Sequence, residues 1–142
     1  YHQQAFIVNK AAQAVYFYQP ESVFTFMDTA YANQALIYNS ATADMSYNEV
    51  KKLVSSWATN GTGVTEEQYY RGMGWAEGTG TPDGQTIEMN ARYMFKYCSL
   101  HQTFATPWYA VNGLGAMGLD TFADWQAALD PLVAAAAAAV EL

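Results

Sequence analysis

The stretch Trp108 to Met117, WYAVNGLGAM, breaks the helical spacing of the rest of the chain and limits the fold more than any other feature. Trp108 to Val111 is short, aromatic and β-branched, the composition of a strand. Asn112-Gly113 follows, the strongest two-residue hairpin signal, because a type I′ turn needs positive φ at both positions. Leu114 to Met117 reads as the returning strand, weakened by its glycines. A hairpin alone is marginal in water, and Trp108, Tyr109 and Val111 carry more apolar surface than two short strands cover. The expectation is a mixed α/β chain, mostly helical, whose sheet is completed by strands from outside it.

The remainder reads as helices. Residues 2–18 place Phe6, Lys10 and Val15 at helical spacing with alanines between, a mostly buried helix that Gln19-Pro20 ends. Pro20 and Glu21 open a second helix, since proline suits the first turn and a carboxylate the positive end of the dipole. Its expected core stripe is Phe24, Met27, Tyr31, Gln34 and Tyr38. Ser46 with Glu49 is a capping box for a helix to about Ala58 that buries Val50, Leu53, Val54 and Trp57. Thr65 with Gln68 repeats the signal for a short helix ending near Arg71-Gly72. Gly74 to Gly84 is a loop by composition. A fifth helix runs from about Thr86 to Leu100 on the pattern Met89, Tyr93, Met94, Tyr97. Thr121 and Asp124 cap a last helix to about Leu132, with Trp125, Leu129 and Leu132 facing inward. Pro131 disturbs its end, and the alanines of Val133–Val140 either continue it or fray.

Composition removes several classes of function. The formal charge is -7, from 13 acidic and 6 basic residues, and no Lys/Arg cluster is present, which argues against nucleic acid and anionic membranes. No apolar run reaches the length of a bilayer span. One cysteine, Cys98, excludes an internal disulfide and a cysteine metal cluster. No spacing of His, Asp or Glu suits a metal, no glycine-rich phosphate loop follows a strand, and no cofactor is implied. Asp44, Glu49, Glu66, Glu67 and Glu77 sit at helix starts and in loops, a solvated and capping pattern rather than hydrolase chemistry. A chain opening on Tyr1 reads as a mature form or a fragment.

Three positions draw a reading as sites. Thr106-Pro107 stands at the mouth of the first strand, where proline is tolerated and where a cis peptide bond is accessible; an ordinary trans proline starting an edge strand is the plainer alternative. Asn60-Gly61-Thr62 matches the N-glycosylation acceptor in a glycine-rich, loop-like setting, which places the chain in a secreted or endomembrane-lumen context if used. Tyr16-Phe17-Tyr18, with Phe24 and Phe26, reads as core aromatics rather than a peptide groove.

The order of these elements, with YHQQAF, FMDTAYANQALIYN, TPWYAVNG and WQAALDPLV, resembles the DsbA-like family of thioredoxin-fold thiol-disulfide oxidoreductases, particularly its eukaryotic members. The resemblance spans nearly the whole chain. It implies a thioredoxin-like fold seen in part: residues 1–100 as the helical insertion, residues 101–142 as the proline loop, hairpin and closing helix, and an N-terminal βαβ portion missing. It implies that Pro107 is cis and that the backbone of Thr106 pairs with an extended peptide, a form of β-augmentation. The family's Cys-x-x-Cys falls before Tyr1, so no catalytic residue is assigned in this chain. Cys98 is expected to be a buried or semi-buried bystander, His101 a surface residue and His2 the opening of the first helix. The missing strands come from an unseen part of a longer protein, from a cut and retained segment, or from another subunit pairing with the hairpin. Two functions follow: an oxidoreductase-related protein acting on extended peptides, or a non-catalytic secreted binding or assembly component on the same fold.

Overall fold

The computed structural model describes residues 3–74, 80–101, 103 and 108–140, with the backbone alone at 137–140. Its elements in order are α1 (Ala5–Tyr18), a 3-10 turn (Pro20–Ser22), α2 (Val23–Ala32), a second 3-10 turn (Gln34–Ile37), α3 (Tyr47–Thr59) and α4 (Glu66–Met73). These are followed by α5 (Pro82–Leu100), β1 (Tyr109–Val111), β2 (Leu114–Ala116) and α6 (Phe122–Val140). The chain is thus mostly helical with one small antiparallel sheet. It divides into two compact units, Tyr1–Phe95 and Lys96–Leu142, and the boundary falls inside α5.

In the helical unit α1 is the central element, packed against α2, α3 and α4. Its alanines let the neighbours approach: Ala11 and Ala14 are fully buried beside Ile7 and Val15. The core adds Phe26, Val50, Val54, Trp57, Tyr69 and Met73. Burial pushes the Tyr69 phenol well above its usual range, and its hydroxyl donates to the Lys51 carbonyl at 2.8 Å. Both capping boxes form as read. Glu49 N–H donates to Ser46 Oγ while Ser46 N–H donates to Glu49, and Thr65 and Gln68 repeat the arrangement.

Two apolar patterns differ from the faces that are buried, although Met27 of the first does pack against the core. The stripe Phe24, Met27, Tyr31, Gln34, Tyr38 assumed one unbroken helix. Instead α2 stops at Asn33, whose backbone and side-chain N–H groups both donate to the Thr29 carbonyl, and the inward residue is Phe26, 1% exposed, whereas Phe24 is 72% exposed. The 3-10 turn at Pro20–Ser22 advances the chain about 120° per residue rather than about 100°, which shifts the phase of the helix that follows. On α5, Tyr93, Met94 and Tyr97 are exposed and the buried face is Gly84, Ile87, Glu88 and Ala91. That helix also starts earlier than expected, at Pro82, with Thr81 Oγ1 accepting from Gly84 N–H at 3.1 Å.

A buried charge explains the second difference. Lys10 and Glu88 are 0% and 1% exposed and lie 2.7 Å apart, Nζ to Oε2. Lys10 Nζ also donates to the Met73 carbonyl at 3.1 Å. Arg92 holds the other oxygen of Glu88, donating from Nε at 2.8 Å. Burial raises the Glu88 carboxyl, but the hydrogen bonds and charges of Lys10 and Arg92 outweigh it and hold the group below the usual carboxylate range. Nearby, Asp83 binds Arg71 at 2.7 Å and accepts from Tyr18 Oη at 3.0 Å. Burial and that carboxylate together push the Tyr18 phenol up to about 12.

In the second unit β1 and β2 pair antiparallel, with Tyr109 opposite Ala116, Ala110 opposite Gly115 and Val111 opposite Leu114. Asn112 and Gly113 have φ of 51° and 80°, the positive pair that a type I′ turn demands. Thr121 and Asp124 cap α6 reciprocally. Trp125 lays an edge on Tyr109, with ring centroids 4.8 Å apart. The helix runs through Pro131 to Val140 rather than stopping near Leu132, and Leu132 is 46% exposed rather than inward-facing. Proline removes one backbone bond, but alanine is the best helix former and carries the helix on.

Candidate functional site

The hairpin unit holds the position that the sequence marked. Thr106 and Pro107 themselves lie outside the described residues, as do His2 and Glu77. Described residues of this unit form a hollow of about 340 Å³ lined by Leu100, His101, Trp108, Gly113, Leu114 and Gly115. Trp108 is placed by a glycine: a β-carbon at Gly115 would come within 2.8 Å of Trp108 Cζ2, so the indole lies directly on the returning strand. Leu114 is 75% exposed at the start of that strand. The result is a shallow surface of one indole, one imidazole and one leucine beside the hairpin.

His101 is exposed, and its ring packs on Tyr97 with centroids 4.3 Å apart. Cys98 is free and exposed, not buried as expected. It lies past the last inward residue of α5, Ala91, on a stretch whose side chains all face outward. Its carbonyl accepts from Thr103 N–H at 2.8 Å, just past the end of α5. Cys98 is the single cysteine of this sequence, whereas disulfide exchange within one chain uses an attacking and a resolving thiol.

The helical unit carries a larger groove, of about 570 Å³, between α1 and α2. Val8, Ala12, Tyr16, Phe26, Met27, Ile37 and Met94 supply its apolar walls, and Asn9, Gln13 and Gln34 its polar groups. Gln13 Nε2 approaches Met94 Sδ at 3.0 Å and Asn9 Nδ2 donates to the Ala91 carbonyl at 3.4 Å. Among the described residues that line it none is charged. The core reading of the aromatic run holds for Phe26 and in part for Tyr18, which packs against the core, and fails for Tyr16, Phe17 and Phe24. Tyr16 and Phe17 are 56% and 43% exposed, because adjacent helical residues point about 100° apart and cannot share one core face. Tyr16 lines the groove, and the core residue Phe26 forms part of its floor.

Asn60 is exposed at the C-cap of α3, with Thr62 buried two residues on. Among the described residues no group of three His, Cys, Asp or Glu could hold a metal ion, and no helix is long and apolar enough to cross a membrane. Neither a protein-family model, nor a curated protein, nor a solved structure matches the chain.

Proposed function

We propose that this chain is the polypeptide-binding portion of a thioredoxin-fold protein of the DsbA-like type, and that within this chain it binds without exchanging disulfides. The observation that carries the reading is the hairpin, which follows Thr106-Pro107 in the sequence: a sheet of two three-residue strands on a type I′ turn, flanked by a hollow that holds Trp108, His101 and Leu114. Two strands this short are marginal alone. An added extended strand gains backbone hydrogen bonds at the edge and places alternate side chains on the apolar surface beside it. The uncharged groove of the helical unit suits apolar side chains of a polypeptide in the same way. The localisation that accompanies this reading is secreted or endomembrane lumen.

The second reading, a non-catalytic assembly component, is favoured by one observation: Cys98 is the sole cysteine and is exposed at the side of a helix. Thiolate activation needs a helix N-terminus or a neighbouring cation. The two readings separate on the native polypeptide. A Cys-x-x-Cys upstream of Tyr1, found by intact mass and N-terminal sequencing, makes the protein an oxidoreductase; a native start at Tyr1 makes it a binding component.

Peptide binding itself is tested by titrating the chain with unstructured, apolar peptides and following Trp108 fluorescence. Thr106→Pro removes the N–H needed for strand pairing and should abolish binding, whereas Thr106→Ser and Cys98→Ser should retain it. Binding unchanged by Thr106→Pro overturns the assignment.

A further inference from the structure

Asn60 closes α3, and its surroundings decide when it is chemically available. We infer that Asn60 is an N-glycosylation site that is modified only before this part of the chain folds. The observation is a split within the acceptor triplet. Asn60 is exposed, with φ -75° and ψ 111°, and its backbone N–H caps α3 by donating to the Ser56 carbonyl at 3.2 Å. Thr62 is 2% exposed. Its hydroxyl is committed in both directions, donating to the Ala58 carbonyl and accepting from Val64 N–H. Gly61, between them, has φ of 75°, so the triplet is turned rather than extended.

The acceptor pattern requires a hydroxyl two residues after the asparagine. In the folded chain that hydroxyl faces inward and is used up, while the asparagine side chain faces solvent. The triplet is therefore readable in the unfolded chain and closed in the folded one. A glycan already on Asn60 is compatible with the fold, because its attachment point stays outside and Thr62 still caps α3 from within. The reaction is the transfer of an oligosaccharide from a polyprenyl-diphosphate donor. Asn60 Nδ2 bonds to the anomeric carbon as the bond from that carbon to the diphosphate oxygen breaks, the diphosphate leaves with the electron pair, and one amide proton is released. The donor and the transferase belong to the secretory lumen. This inference is independent of the peptide-binding reading.

Two measurements test it. In the chain passed through a eukaryotic secretory pathway, peptide mapping with and without enzymatic glycan release should find Asn60 occupied. Asn60→Gln should lose the glycan with an unchanged far-ultraviolet spectrum, and Thr62→Ser should keep it. An unmodified Asn60 in that material overturns the site. Next, unglycosylated folded chain and the tryptic peptide Leu53–Arg71 from the same chain are each given to an oligosaccharyltransferase with its lipid-linked donor. The peptide should be consumed while the folded chain yields no product. Equal rates for the two overturn the order of events, and a peptide that is never consumed overturns the acceptor itself.

Discussion

Lys10 and Glu88 show how a single residue pair sets the face of a helix. Neither charge is tolerated inside without the other, because an ion removed from water costs several kcal/mol that only a close partner and further hydrogen bonds offset. Lys10→Ala should therefore destabilise the helical unit by ~3–5 kcal/mol, leaving a buried carboxylate unpaired. Lys10→Met combined with Glu88→Leu should recover most of that loss, since an apolar pair of similar volume needs no compensation. Urea denaturation of both variants distinguishes this from a general loss of packing, which the double variant would deepen. The same pair gives a pH dependence. The Glu88 carboxyl lies below its ordinary value when folded. Its contribution is thus complete above the unfolded carboxylate value of ~4.3 and is lost as pH falls through the lower folded one. Glu88→Gln should flatten that part of an acid titration of stability, and an unchanged acid limb would refute the linkage. The pair was not readable from the sequence: periodicity assigns inward faces by apolar letters, and here two charged letters point inward.

At the scale of elements, the caps and the turn were legible because they are local. Ser46, Thr65 and Thr121 each sit three residues before a side chain that reaches back, and the reciprocal hydrogen bonds form at all three. Ser46→Ala should cost ~1 kcal/mol in the helical unit. Gly113, at φ 80° with nothing within 4 Å of where a β-carbon would sit, adopts its conformation for the turn alone. Gly113→Ala should cost ~1 kcal/mol by backbone strain, seen as weaker amide protection at Tyr109–Ala116. Gly115 is different: Gly115→Ala should push Trp108 off the strand and shift its fluorescence, with little effect on Trp57 in the other unit. Helix phase and length were less legible. A 3-10 turn advanced α2, Asn33 ended it early, and α6 ran through a proline that local rules treat as an ending.

At the scale of the whole molecule, the two units differ in how much they bury. Among the described residues the helical unit holds nearly all the fully buried side chains, while the hairpin unit buries Leu119 to 8% exposure, keeps Trp108, Tyr109 and Trp125 half-buried and leaves Phe122 exposed. Cooperative stability follows buried apolar contact. Hydrogen exchange should accordingly be slowest in α1, α3 and α4 and faster by orders of magnitude in β1, β2 and α6; equal protection would contradict this picture. A bound extended peptide should slow exchange in the hairpin selectively. By itself the sequence determined the mostly helical character, the three caps and the Asn112-Gly113 hairpin, because each depends on residues within a few positions of one another. Only the tertiary structure decided that Phe26 rather than Phe24 enters the core, that Lys10 meets Glu88, that Cys98 faces solvent, and that Thr62 hides its hydroxyl below an exposed Asn60. Each of those depends on which distant surface a side chain meets, and burial is a property of the assembled fold rather than of any short stretch of chain.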